Sequence, residues 1–168
     1  MWCSRGAVAA FAAVFLLLTC ACGYHFSSAS PLVLPRNMEL IYLEEIQDPT
    51  TEPQLESRLR SSIRNEFTQR GNVEWVSRNR AEGLLRVTID SFTSSAKLES
   101  AEEETVRYEA ILRFRGRIFE STEQNLVWES GGLTVRESYS DQAEREQAQI
   151  RVMRLAAEEL ANKLAQRF

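Results

Sequence analysis

The stretch TVRYEAILRFRGRIFE, residues 105–120, alternates apolar and polar side chains along most of its length. Val106, Tyr108, Ala110, Leu112, Phe114, Gly116 and Ile118 share one parity. A period of two sends successive side chains to opposite faces of a strand, so this run reads as a long strand with one face on a core. Such a strand needs neighbours on both sides, and the flanking sequence offers them. In Leu84–Ser95, the residues Leu85, Val87 and Ile89 alternate with Arg86, Thr88 and Asp90; Leu126–Ser140 continues the pattern, with Gly131-Gly132 marking a bulge or bend. The acid-rich AEEE (101–104) and STEQN (121–125) read as hairpin connections.

Two helices are expected around this meander. After the strand candidate Met38–Ile46, Thr51 reads as an N-cap, with Pro53 in the first turn and Gln54 three residues on. Leu55, Leu59, Ile63 and Phe67 then recur every four residues, and Gly71 reads as the stop. Asp141 with Glu144 resembles a second capping box. The helix behind it carries Met153, Ala157, Leu160, Leu164 and Phe168 as an apolar stripe, with Ala156 and Ala161 on its flanks. The expected order is β-α-β-β-β-α: an α+β fold with a mostly antiparallel sheet of about four strands and two helices on one face.

The N-terminus addresses a compartment. Arg5 is the only charge ahead of the 12-residue apolar run Ala7–Leu18. That run falls short of the roughly 20 residues a bilayer span needs, and suits the apolar region of a signal peptide. It ends in LLLTCACGYHF (16–26), where a lipoprotein signal places a small-residue box before an acylated cysteine. Cys22 has Ala21 at −1, which fits, and Thr19 at −3, where Leu is usual; Cys20 has Leu17 at −3 but Thr19 at −1. Cys22 is therefore taken as the mature N-terminus. The plainer alternative is that both cysteines decorate an ordinary secretory signal. No cysteine follows residue 22, so the mature domain can form no internal disulfide. The division is a signal peptide over 1–21, an acylated N-terminus and linker over 22–37 (SSASPLVLPRN from residue 27), and one domain over 38–168. Gly23 after the cysteine is compatible with sorting to the outer membrane.

Composition narrows the function. The chain carries −4 overall; removing Arg5 with the signal leaves 19 basic against 24 acidic residues, a weak acidic excess that argues against bulk binding of nucleic acid. His25, the single histidine, stands three residues from the anchor, so no histidine-based triad or ligand cluster can be built. No catalytic site, metal site or cofactor is expected. One pattern stands above this background. Arg107, Arg113, Arg115 and Arg117 share the parity opposite to the apolar face of the long strand, and steps of two residues set neighbouring guanidinium groups about 6–7 Å apart. Arginine forks suit phosphate and carboxylate, so the stripe is a candidate contact for an anionic ligand such as lipid phosphates. The competing reading is a solvated face balanced by glutamates of neighbouring strands.

Cys22-Gly23-Tyr24-His25-Phe26, the linker with its prolines, the strand MELIYLEEI, the element order and the C-terminal LAAEELANKLAQRF together resemble the LptE family of lipopolysaccharide-assembly lipoproteins. The resemblance implies a non-enzymatic outer-membrane lipoprotein, anchored by acyl chains including palmitate. It implies a domain that plugs the lumen of an LptD β-barrel, binds lipopolysaccharide, and assists both its insertion into the outer leaflet and assembly of the barrel. The alternative is an anchored periplasmic lipid-binding lipoprotein that enters no barrel. Family motifs transfer no ligand residue here; the arginine stripe is read from this sequence alone.

Replacing Cys22 with Ser is expected to abolish metabolic lipid labelling and to release a soluble or unprocessed form. Loss of labelling in Cys20→Ser, with labelling kept in Cys22→Ser, would move the mature terminus to Cys20.

Overall fold

A computed structural model describes residues 31–71, 73–98 and 106–166. The signal region, Cys20, Cys22, the Cys22–Phe26 motif, the AEEE connection and Phe168 lie outside the described residues. Six strands and two long helices follow in the order β1 (Leu40–Gln47), α1 (Leu55–Arg70), β2 (Glu74–Trp75), β3 (Gly83–Leu98), β4 (Val106–Glu120), β5 (Leu126–Glu129), β6 (Leu133–Tyr139) and α2 (Arg145–Ala165). The class is α+β, as expected, but the sheet departs from about four mostly antiparallel strands. It has six strands in the order β2-β1-β3-β4-β5, with β6 also on β4. β1 runs parallel to both β2 and β3, while β3, β5 and β6 pair antiparallel with β4. The parallel pairings arise because α1 lies between β1 and β2 in the chain and returns it to the same end of the sheet.

The expected long third strand is present as two pieces. β5 pairs with β4 around Arg117–Phe119 and β6 around Tyr108–Phe114, so both continue one side of β4 past a bend at Gly131-Gly132. Gly131 takes a positive φ of 72°, where a side chain would be strained. Ser130 spans the gap: its N–H donates to Gly116 O at 2.9 Å, and its Oγ accepts from Gly116 N at 2.9 Å.

Alternation along β4 holds. Ala110, Leu112, Phe114, Gly116 and Ile118 are buried, while Arg107 and Arg113 are exposed. β1 and β3 each contain a register shift, between Leu43 and Glu45 and between Ile89 and Ser91. The first returns Ile46 to the core behind Ile41 and Leu43; the second makes Phe92 and Ser94 take over the core-side parity of Leu85, Val87 and Ile89.

Both helices bury their expected stripes against this face. α1 contributes Leu55, Leu59, Ile63 and Phe67; α2 contributes Ala148, Val152, Met153, Ala156, Ala157, Leu160, Ala161 and Leu164. The alanines let α2 approach closely, and Leu160 reaches into the space above Gly116. A Cβ on Gly116 would stand 2.6 Å from Leu160 Cδ1.

The helix starts differ from expectation. Thr51 and Gln54 form no capping box on α1: Gln54 is left-handed (φ 63°) and makes no side-chain cap. Asp48 instead accepts from Thr50 N at 2.9 Å, turning the chain after β1. Tertiary contacts hold this end, since Glu52 accepts from Arg145 Nη2 at 2.6 Å and from Gln149 Nε2 at 3.1 Å on α2. At the α2 start Asp141 Oδ1 accepts from Ala143 N at 3.1 Å, and Glu144 reaches back to Ser140 N at 3.3 Å. The expected capping box is therefore not formed: Asp141 caps the short 3-10 turn Gln142–Glu144 ahead of α2, and both arms are shifted by one residue. Gly71 is extended (φ −157°) and not a left-handed stop. Its need is room: an added Cβ would stand 2.7 Å from Leu32 O, because residues 31–34 pack there, with Leu32 N donating to Arg70 O at 3.1 Å. Leu32 and Leu34 are buried, so the segment read as linker is part of the packed domain from Leu32 onward.

Leu160→Ala is expected to cost about 2–5 kcal/mol in unfolding free energy, and Gly116→Ala about 1–3 kcal/mol through overpacking. The methyl of Gly116→Ala fits only when Leu160 is shortened. The double variant should therefore lose clearly less than the two single losses added, as measured by denaturant titration of all four proteins.

Candidate functional site

With both helices on one face, the other face of the sheet is open, and the arginine stripe of β4 lies on it. The neighbours that β3, β5 and β6 set beside that stripe follow from register. Arg117 stands opposite Arg86 and Glu129, Arg115 opposite Thr88, Arg113 opposite Ser91 and Thr134, and Ile111 opposite Thr93 and Arg136.

These neighbours divide the stripe. Arg115 engages Asp90 with a fork, Nη2 to Oδ1 at 2.5 Å and Nε to Oδ2 at 3.3 Å. The hydrogen bond and charge of Asp90 raise the Arg115 pKa above its ordinary value, so this cation is fixed. Asp90 is the extra residue of the β3 bulge, which aims it at Arg115. Arg117 donates through Nε to Glu129 at 2.7 Å. One strand further, Glu44 accepts from Arg86 at 2.5 Å and from Arg78 at 2.7 Å, while the Arg86 guanidinium lies 4.4 Å from the centroid of the Phe119 ring. A band of internally neutralised charge thus crosses one half of the face.

Towards the β3–β4 connection the balance changes. Arg107 and Arg113 are exposed, and β6 brings exposed Arg136 beside them. Arg113 and Arg136 have no ion-pair partner among the described residues. Glu109 is the carboxylate of β4 on this half of the face. So the structure separates the four predicted arginines: Arg115 and Arg117 serve the sheet, whereas Arg113 presents unneutralised charge and Arg107 lies beyond it on the same parity. Arg136 was missed in the sequence, although its parity is opposite to that of Leu133 and Val135 and would have placed it outward. The other end of the open face carries an apolar spot, where Leu84 is 1% exposed between its pairing partners Tyr42 and Phe119.

This site is a surface and not a pocket. A groove of about 300 Å³ lies elsewhere, lined by Leu32, Leu34, Met38, Arg70 and Val73 beside the N-terminal segment. Among the described residues, no group of three or more His, Cys, Asp or Glu side chains could hold a metal ion. None of their helices is long and apolar enough to cross a membrane. The chemistry the arrangement offers is recognition of extended or multivalent anions by guanidinium groups held on a rigid strand.

A family model described as LptE, lipopolysaccharide-assembly, matches residues 38–167. The chain belongs to this family. The match begins two residues before β1 and runs past the end of α2, so it spans both faces of the sheet. No curated protein matches the chain significantly. Among solved structures, a DUF330-family protein from Xanthomonas campestris is similar at 17% identity and a TM-score of 0.58, over 83% of this chain and 89% of its own. A lipoprotein B from Nitrosomonas europaea is similar at 14% identity and a TM-score of 0.53, over 83% of this chain and 88% of its own. At these identities the likeness is one of fold. The LptE assignment places this chain in a lipopolysaccharide-assembly family.

Proposed function

We propose that the chain is an outer-membrane lipoprotein, anchored through acylated Cys22, whose domain occupies the lumen of an LptD-like β-barrel. There it binds lipopolysaccharide, assists its insertion into the outer leaflet and supports assembly of the barrel. The family match across residues 38–167 carries this reading. The surface is in keeping with it, because a barrel lumen is polar and a plug needs a mixed, charged exterior. Ion pairs such as Arg115–Asp90 and Arg117–Glu129 supply that exterior without leaving a single-sign field. Glycolipid phosphates are assigned to Arg113, with Arg107 and Arg136 beside it, while Arg115 and Arg117 hold the sheet face on which these sit. The work is binding and assembly, with no catalytic step.

The deciding experiment is isolation of the acylated protein from membranes. One-to-one recovery with a large β-barrel is expected, and recovery as a free anchored lipid-binding protein would overturn the plug reading. A second measurement tests the arginines. Arg113→Glu with Arg136→Glu should leave stability within about 0.5 kcal/mol per site, because both side chains are exposed. The variant should lose lipopolysaccharide binding while keeping the barrel. Unchanged glycolipid binding would remove these residues from the lipid contact.

A further inference from the structure

Among the described residues, the sheet leaves one long edge without a neighbour. β1 accompanies β3 only to the pair Gln47–Thr88, after which the chain turns away at Asp48-Pro49. From Ile89 to Leu98 β3 is paired, among the described residues, on one side alone, by β4. No other described element covers that edge, and Thr93, Ser95 and Ala96 are exposed. Exposed strand edges are ordinarily guarded by proline, by charge or by brevity. β2 is two residues long, and β6 carries Arg136 and Glu137 on successive positions. The β3 edge, SFTSSA from 91 to 96, contains no proline and no charge. It is also held in shape, because Ser94 Oγ lies 2.6 Å from the hydroxyl of buried Tyr139, whose ring stacks on Tyr108 at 5.2 Å.

We infer that the β3 edge from Ser91 to Ala96 is a docking site for an extended, acidic segment of a partner protein, added to the sheet as a further strand. Backbone hydrogen bonds would supply the pairing, as in other strand additions. The choice of an acidic partner follows from the open face beside the edge. Arg113 and Arg136 lie there against Glu109, and Asp90 is already taken by Arg115. An added strand lies about 10 Å from β4, two strand spacings away. Ser91 separates it from Arg113 by only a small side chain, so arginine and a partner glutamate meet over it. β1 sets the precedent within this sheet, since its Glu44 takes Arg86 of β3 from the same side. A second copy of the chain is a poorer occupant. Two β3 edges pairing with each other would bring together two serine-rich edges backed by arginines, with no carboxylate between them. The inference goes beyond the glycolipid reading: the two share Arg113, but strand addition also needs the β3 backbone, so protection at residues 91–96 is read separately from glycolipid binding.

The test uses the acylated full chain in detergent and an eight-residue peptide alternating glutamate with valine, compared with its lysine counterpart. Amide hydrogen exchange should slow at residues 91–96 with the glutamate peptide and not with the lysine peptide. Arg113→Gln should weaken that peptide about two- to fivefold, the scale of one exposed ion pair. Proline at Ser95 and at Ala96 provides the backbone control. Successive residues point their N–H groups to opposite sides of a strand, so one of these variants removes an edge donor while leaving the β4 ladder intact. The variant that keeps its ladder should fold and lose the peptide. Equal protection by both peptides, no protection at residues 91–96, peptide binding retained in both folded proline variants, or protection that rises with protein concentration alone would each overturn the proposal.

Discussion

Strand β4 has to satisfy three strands and a helix at once, and the rest of the domain is arranged around that demand. β3 pairs with it from Val106 to Glu120, and β5 and β6 share its other side. Leu160 of α2 settles on it at Gly116. Gly116 is where these requirements meet. Its missing side chain admits the helix, while its backbone N–H and C=O hold Ser130 where β5 gives way to β6. A bent strand would otherwise leave buried backbone groups unpaired, at a cost of about 1–3 kcal/mol for each. The small residue and the buried serine solve a packing problem and a hydrogen-bonding problem at one point.

The same strand distributes charge. Its outward arginines are equivalent in sequence and differ in structure because the carboxylates come from elsewhere. A bulge at Asp90 delivers one to Arg115, and the register of β5 delivers Glu129 to Arg117. Beyond Asp90 the outward neighbours of Arg113 from β3 and β6 are Ser91 and Thr134, neither of which can neutralise a guanidinium. An overall acidic chain therefore keeps a local basic area. Net charge is a poor guide to where an anion binds when strand register decides which cations are spent.

Much of this architecture was legible in the sequence. The apolar positions of β4, α1 and α2 are repeated locally, and a period of two or of 3.6 survives whatever the element packs on. What was not legible depends on partners distant in sequence. Glu74 and Trp75 become a strand only because β1 offers them an edge, and β1 runs parallel because α1 returns the chain to the same end. The α1 start looked like a capping box but is secured by Arg145 and Gln149, more than ninety residues away. Within the site, parity alone placed Arg107, Arg113, Arg115 and Arg117 on one face. Which of them had partners required the β3 bulge, and a one-residue irregularity leaves no periodic trace. Arg136 could have been found by the same parity argument, but its run is shorter and is interrupted by glutamate.

A consequence for function follows from the separation of faces. Almost all of the apolar burial, from Leu55 to Leu164, lies on the helix side, so the open face contributes little to stability beyond Leu84 and its ion pairs. Residues such as Ser91, Thr93, Arg113 and Arg136 are under no packing constraint, which frees them to be chosen for contact with other molecules. The acids that pair Arg86, Arg115 and Arg117 prevent that face from becoming a uniformly cationic sheet that would hold any polyanion. On the proposed reading, recognition is confined to the end nearest the β3–β4 connection, where cations and a strand edge uncovered by any described element lie side by side. A carboxylate-bearing strand could use both features there, whereas a phosphate could use only the cations. That difference would let one small face discriminate between a protein partner and a glycolipid.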